Sequence, residues 1–252
     1  MRIRPNSTAV RVKHVGDAAN AKEVEVAYAR GGKVYTAKAK NAVLACWHVV
    51  IPHICDDLPD KQRQALASVQ KVPLLYTNVA LRNWTSVQKL GTNAVYAPGC
   101  YHTGVNLDLP VSLGGYECAR KREEPIVVHM MKTPCHPGWP ARPARCCTHR
   151  TLQYDVRDHR AQDPRSFGRT LGLGGFDPAR DIAAITVNRW PHGYAYEYNS
   201  LFDSFWLEGG ETPCEVARKP FGRIAIANSD AGAYAYTDEG INQAWRAVGE
   251  II

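Results

Sequence analysis

Apolar and polar positions alternate along the first forty residues. The apolar members of this alternation are Val10, Val12, Val24, Val26, Tyr28 and Val34. A period of two is typical of strands with one buried face. The Gly31-Gly32 pair supplies a tight turn before the last of these runs. The pattern therefore predicts a β-meander.

A continuous apolar run follows from Asn41 to Trp47, and its length suits a strand that is buried on both faces. Such a strand must lie inside a larger sheet. A short helix is predicted from Lys61 to Gln70, and Pro73 ends it. Further strands are predicted at residues 74–81, 111–117, 126–131, 182–190 and 221–227.

The last fifteen residues predict an amphipathic helix. Its apolar positions recur every three or four residues, at Ile241, Ala244 or Trp245, Val248 and Ile251. Thr237 is the predicted N-cap, and Asp238 and Glu239 fall in the first turn, where the helix dipole favours acidic side chains.

Residues 141–170 carry no apolar period and are predicted to form an irregular, arginine-rich segment. This segment also explains most of the charge. Seven arginines and three aspartates give it +4 of the chain's net +7, so the basic character is a weak indication of nucleic-acid binding. With 45% apolar and 22% charged residues, the whole chain has the composition of a folded protein.

Several kinds of site can be excluded or given little weight. The chain contains no phosphate-binding P-loop, no HExxH, no GxSxG and no CxxC motif. Gly172–Gly175 lacks the third glycine of a dinucleotide loop, and Pro178 would break a helix where one must begin. Cysteines and histidines at 135–159 lack zinc-ligand spacing, so no metal site is predicted. His48 and His53 are interpreted as satisfied structural or interface histidines rather than catalytic ones.

Two segments carry candidate chemistry. Residues 188–199 combine four aromatic side chains with a cation and the carboxylate of Glu197. Aromatic faces around a carboxylate suit a cationic amine, although an aromatic strand edge explains the same pattern. Residues 222–237 form an apolar strand, a small polar cluster around Asp230 and then a helix start, which presents backbone N–H groups to an electron-rich ligand. A capped turn is the simpler alternative.

Together these two segments resemble the C-terminal part of the flavin-containing amine oxidase superfamily, most closely its bacterial spermidine dehydrogenase-like branch. The resemblance rests on Gly222-Arg223-Ile224-Ala225-Ile226-Ala227, on Asp230 and on Ala235-Tyr236-Thr237, which match a G-R-I-x-x-A strand, an acidic residue and the turn before the last FAD-binding helix. The meander and the strand at Val43-Leu44-Ala45 resemble the FAD-domain hairpin and the strand after it.

The resemblance implies FAD as cofactor and an α/β fold of mixed α+β character. Partial FAD-binding elements at 1–53 and 200–252 would flank a substrate domain at 54–199, built on a mixed or antiparallel sheet with few helices. By the same resemblance Asp230 would bond the ribityl or phosphate region, and Ala235, Tyr236 and Thr237 would meet the flavin. Trp190, Tyr194 and Tyr196 would form pocket walls, and Glu197 would pair with the amine.

The family's N-terminal dinucleotide fingerprint does not occur in these 252 residues. We therefore expect the chain alone to bind FAD weakly or not at all. The expected reaction is oxidation of an amine, such as the polyamine spermidine, with the electron acceptor and any haem left open. A homo-oligomer is also left open.

Two alternatives to an enzyme remain at this point. One is a non-catalytic basic module for nucleic acid or acidic partners, which the scarcity of aromatics in the arginine-rich segment disfavours. The other is an inactive truncated gene product. The longest apolar run is too short for a membrane span and no signal peptide is recognisable, so a cytoplasmic location is the default expectation unless a longer precursor carried an export signal.

Overall fold

A computed structural model describes residues 3–69, 71–134, 167–198 and 211–252. The chain forms two compact units, and each is described by itself. The first unit contains both ends of the chain, residues 1–71 and 194–252, and the second contains residues 72–193. The sequence placed boundaries after residues 53 and 199. The cofactor and substrate roles of the parts stay predictions.

The first unit begins with the meander that the alternation predicts. Strands β1 (Thr8–His14), β2 (Val24–Arg30) and β3 (Lys33–Ala39) pair antiparallel in the order of the chain. Gly31 and Gly32 connect β2 to β3 with φ of 55° and 74°, conformations that glycine adopts without strain. The predicted meander is confirmed.

A second, two-stranded sheet joins distant parts of the first unit. Strand β4 (Ala42–Leu44) pairs in parallel with β10 (Ile224–Ile226), which is fully buried. Short helices α1 (Ile51–Ile54), α2 (Asp60–Ser68) and α5 (Pro213–Ala217) lie in the same unit. Val43 is 40% exposed, so the prediction of a strand buried on both faces is wrong for β4: within the described chain no other strand pairs with it.

The C-terminal helix, α6 (Thr237–Gly249), forms as predicted but buries an unexpected face. Ala247 packs against Ala225 and Ala227 of the parallel sheet, and Gln243 is also buried. The larger apolar residues Ile241, Trp245 and Val248 remain exposed. The apolar period therefore predicted the helix but not which of its residues are buried.

The second unit is built on one antiparallel sheet in the order β6-β7-β8-β5-β9. Its strands are β5 (Val72–Leu81), β6 (Ala94–Tyr96), β7 (Gly104–Leu107), β8 (Ile126–Lys132) and β9 (Ile182–Gly193). Two helices, α3 (Thr85–Leu90) and α4 (Pro178–Asp181), complete it together with helical residues 167–171. The predicted mixed class, with antiparallel sheets and few helices, is confirmed.

The strand predicted at residues 111–117 is wrong. Gly114 and Gly115 adopt φ of 60° and 87°, so the chain turns between Leu113 and Tyr116, which form only an isolated bridge. Val111 and Leu113 are exposed. Strand-forming residues alone could not reveal that no strand among the described residues pairs with this stretch.

Gly172–Gly174 forms a 3₁₀ turn, in agreement with the low weight given to a dinucleotide loop. A Cβ at Gly174 would lie 2.2 Å from the Ser86 carbonyl oxygen, so the glycine permits close packing on α3. Contrary to expectation, a short helix does begin at Pro178, because Asp177 caps it through the Ala179 N–H.

Most of the predicted irregular segment, together with the cysteines and histidines at 135–159, lies outside the described residues. At its end, residues 167–170 are helical and Phe167 is fully buried, which corrects the prediction for those four residues. Within the described ranges no cluster of potential metal ligands is found. None of the helices described is long and apolar enough to cross a membrane.

Candidate functional site

A groove opens at the N-terminus of α6 in the first unit. It is an open cleft of about 630 Å³ lined by Tyr194, Ala195, Ser229, Ala235, Tyr236, Thr237, Gly240, Ile241 and Ala244. None of these residues is charged. Two tyrosines and an isoleucine supply apolar surface, while the small residues leave room between them. Such a lining suits a flat, neutral organic ring.

The start of α6 contributes polar groups to this groove. Thr237 was predicted as the N-cap, and this is wrong: Tyr236 occupies the N-cap position, and Thr237 is the first helical residue. No described side chain caps the helix, so the backbone N–H groups of the first turn are available to a ligand. Asp238 and Glu239 occupy this turn as predicted, which makes a neutral, electron-rich ligand more suitable than a full anion.

Behind the groove, Asp230 is completely buried and accepts three hydrogen-bond donors. Oδ1 accepts the Tyr196 backbone N–H at 3.0 Å and lies 3.1 Å from Lys71 Nζ. Oδ2 accepts the His48 backbone N–H at 3.3 Å. A buried carboxylate requires such compensation. Asp230 therefore connects three parts of the first unit through its own carboxylate, independently of any ligand.

Lys71 is the site residue that sequence reasoning missed. Its side chain is 7% exposed, lies 5.6 Å from the centre of the Trp47 ring and donates to the Tyr194 carbonyl at 3.3 Å. A lysine is rarely buried without a partner. The sequence does show a single cationic residue directly before the apolar strand β5, but its position does not indicate which residue it pairs with.

His48 departs from its interpretation as a satisfied histidine. The side chain is fully buried, and neither ring nitrogen has a hydrogen-bond partner among the described residues. Burial lowers the pKa of His48, and the cations Lys71 and Arg246 lower it further, although Asp230 and the backbone of Ala227 oppose them. The ring is therefore neutral near pH 7. Burial also raises the pKa of the nearby Cys46 thiol.

Backbone strain occurs where β10 leads into the site. Asn228 has φ 98° and ψ 157°, a region that is essentially restricted to glycine. Ser229, its neighbour, lines the groove, and the Ser229 hydroxyl donates to Asn228 Oδ1 at 3.0 Å. Ala233, at φ 51° and ψ 38°, is a second non-glycine residue in a left-handed conformation. The chain therefore bends sharply on both sides of Asp230.

The structure brings several predicted site residues together. Tyr194, Ala235, Tyr236 and Thr237 all line the groove. Tyr196 is anchored behind it through its backbone N–H. Glu197 is exposed and does not belong to the lining, and Trp190 lies half-exposed on β9 of the second unit. Roles in binding an amine or a cofactor stay predictions for all of them.

The second unit has polar contacts of a different kind. Buried Asp181 accepts Arg180 Nε at 2.8 Å, Asn83 Nδ2 at 3.2 Å and the Asp177 backbone N–H at 2.9 Å. The Arg180 guanidinium is the main cause that lowers the pKa of Asp181 to about 2. These contacts tie α4 to the end of β5, which is a structural role.

No protein-family model and no curated protein sequence matches the chain. Solved structures of amine oxidases do match it. A double mutant of putrescine oxidase, made to redesign its cofactor binding, gives a TM-score of 0.61 at 13% identity over 98% of this chain and 48% of that chain. Cyclohexylamine oxidase from Brevibacterium oxydans gives 0.61 at 13% identity over 96% and 47%.

The chain therefore spans about half the length of these amine oxidases. At this identity the likeness concerns the fold, and it confirms the partial amine-oxidase-like architecture that the sequence resemblance predicts.

Proposed function

We propose that this chain is part of an FAD-dependent enzyme that oxidises an amine, and that the groove at the start of α6 receives the flavin ring. The observation that carries the proposal is an uncapped helix N-terminus opening into an uncharged, aromatic-lined groove. The fold shared with amine oxidases supports it. The spermidine dehydrogenase-like branch and a polyamine substrate are the finer parts of the proposal.

The residues present fit such a cofactor. Small side chains at Ala235, Gly240 and Ala244 leave space for a flat ring, and the free N–H groups near Tyr236 and Thr237 are donors for its carbonyl edge. Asp238 and Glu239 offset part of the positive potential of the helix N-terminus, so the ring is proposed to bind mainly through these N–H donors. A contact of Asp230 with the ribityl or phosphate region stays part of the proposal, although its carboxylate is fully buried and already accepts three internal donors.

On the substrate side, Tyr194 and Tyr196 of the first unit are proposed as walls for an amine, and Trp190 on β9 stays a predicted wall residue. Their ring faces attract a cationic nitrogen, and Glu197 supplies one opposite charge. When bound, FAD supplies the oxidation of the C–H bond beside the amine nitrogen, by hydride transfer to the flavin. The chain's own residues bind and orient the reactants and exclude water.

The proposal is tested by measuring whether the groove binds riboflavin, which carries the flavin ring, or ADP, which carries the rest of FAD. We expect rising concentrations of the chain to quench riboflavin fluorescence in a weak but saturable way. ADP, which represents the other half of FAD, should not compete, because the groove lacks a pyrophosphate loop. Absence of saturable quenching, or full displacement of riboflavin by ADP, would contradict the proposal.

A further inference from the structure

We propose that the buried Lys71–Asp230 pair is a positioning clamp that fixes one wall of the groove. The two charges lie 3.1 Å apart, with Asp230 fully buried and the Lys71 side chain 7% exposed. Tyr194 and Ala195 form the wall in question. The consequence for cofactor binding rests on the proposed function, whereas the clamp itself does not.

Each member of the pair holds the backbone of the wall. The Asp230 carboxylate accepts the Tyr196 N–H at 3.0 Å, and the Lys71 ammonium donates to the Tyr194 carbonyl at 3.3 Å. Residues 195–198 belong to no helix or strand. Their backbone groups therefore depend on such contacts, and the Tyr198 N–H, which donates to the Ala233 carbonyl at 3.4 Å, makes another.

The same carboxylate also holds a third stretch of chain. Asp230 Oδ2 accepts the His48 N–H at 3.3 Å, and Lys71 Nζ lies over the Trp47 ring. Residues 47–48, residue 71 and residues 194–196 thus converge on one buried charge pair. Loss of the pair would release the groove wall from the turn that follows β4.

A purely stabilising role explains this arrangement less well. Buried ion pairs contribute little net stability, because removing both charges from water offsets their attraction. The contacts here are instead directed at backbone groups of an irregular segment. The charged pair therefore orients this segment, which two apolar side chains could not do because they form no hydrogen bonds.

Amide hydrogen exchange followed by NMR tests the clamp without any ligand. In Asp230→Ala, exchange of the Tyr196 and His48 amides should rise about tenfold or more relative to the wild type, since each loses a hydrogen bond to a charged group. Amides of β2 should be unchanged. Lys219→Met, which removes an exposed ion pair to Glu211, serves as the control and should leave Tyr196 unchanged.

An equal rise at Tyr196 and throughout β2 would show a merely structural residue and would overturn the proposal. No rise at Tyr196 would also overturn it. If Asp230→Ala does not fold, the exchange rates of two amides are compared in the wild type. The proposal requires the Tyr196 amide to exchange at least about tenfold more slowly than the Glu197 amide. Lys71→Met provides a second variant, and its Tyr196 exchange should rise as well.

Discussion

The two units of the chain treat buried polar groups differently. In the second unit one five-stranded antiparallel sheet covers a continuous apolar core, and buried Asp181 is fully bonded. In the first unit the sheets are small, a charge pair is buried, and His48 lacks a partner. All non-glycine residues with positive φ that the described ranges contain also lie there, and two of them flank Asp230.

The buried charge pair and the strained non-glycine residues of the described chain all lie in the first unit. Strained backbone and buried, imperfectly compensated polar groups reduce stability, and they persist mainly where they serve binding or catalysis. Among the described residues, Asn228 and Ala233 flank Asp230, and Ser229 between them lines the groove.

The largest effect is expected from Gly174→Ala in the second unit. The added Cβ would lie 2.2 Å from the Ser86 carbonyl oxygen, and backbone on both sides must shift. We expect the free energy of unfolding of this unit to fall by ~2–3 kcal/mol. Gly172→Ala, in the same turn but with open space around it, is the control. Urea denaturation with exchange-resolved probes on β5 measures the difference; equal stability of the two variants would contradict the close packing.

His48 should make the first unit sensitive to acid. Its pKa is lowered in the folded state from the ordinary value of 6.5, mainly by burial. Below pH 6.5 the His48 ring is therefore protonated more readily in the unfolded chain than in the folded chain. The free energy of unfolding should fall with decreasing pH, by at most ~1.4 kcal/mol per pH unit from this one group.

The pH dependence is measured by urea denaturation between pH 5 and pH 8, values chosen around the ordinary pKa of about 6.5. His48→Leu should remove this component of the slope, whereas His53→Gln, at an exposed position, should keep it. A wild-type slope that persists in His48→Leu would show that another group is responsible.

Relief of strain should stabilise the first unit by a smaller amount. Residue 228 has φ 98° and ψ 157°, a conformation that glycine adopts without strain, and Asn228→Gly therefore removes the strain. We expect a gain of ~1 kcal/mol after the greater flexibility of glycine in the unfolded chain is subtracted. Asn6→Gly should gain less, because asparagine tolerates its φ of 55°. Thermal unfolding compares the variants, and a destabilised Asn228→Gly would argue against strain.

The smallest effect concerns substrate binding. If Glu197 pairs with a cationic amine from its exposed position, the Glu197→Gln change made at the matching position of an intact homologous enzyme should raise the KM for spermidine severalfold, since exposed ion pairs are worth only ~0.2–1 kcal/mol. Steady-state kinetics measures it, with Glu211→Gln as the control at another exposed carboxylate. An unchanged KM would remove Glu197 from this role.

Sequence reasoning succeeded where a period repeated long enough to be recognised. The meander and α6 showed such a period, and β5, β8 and β9 were recognised as runs of strand-forming residues. The strands β6 and β7, with three and four residues, are too short to show one. Residues 111–117 contain strand-forming residues but pair with no other strand in the described part of the chain.

The site was predictable only in part. The helix start at Thr237 follows from local capping and apolar patterns, which place it within one residue. The partnership of Lys71 with Asp230 spans 159 positions, and no spacing rule connects residues so far apart in the chain. The absence of a hydrogen-bond partner for His48 likewise depends on what surrounds the ring after folding.

The central claim, that the N–H groups at the start of α6 bind a flavin ring, is tested most directly by comparing riboflavin binding in Thr237→Pro and Thr237→Ala. Proline suits the first helical position and the extended Tyr236 before it, but removes the N–H of residue 237. The account predicts weaker quenching with Thr237→Pro and unchanged quenching with Thr237→Ala. Equal quenching by the wild type and both variants would contradict it.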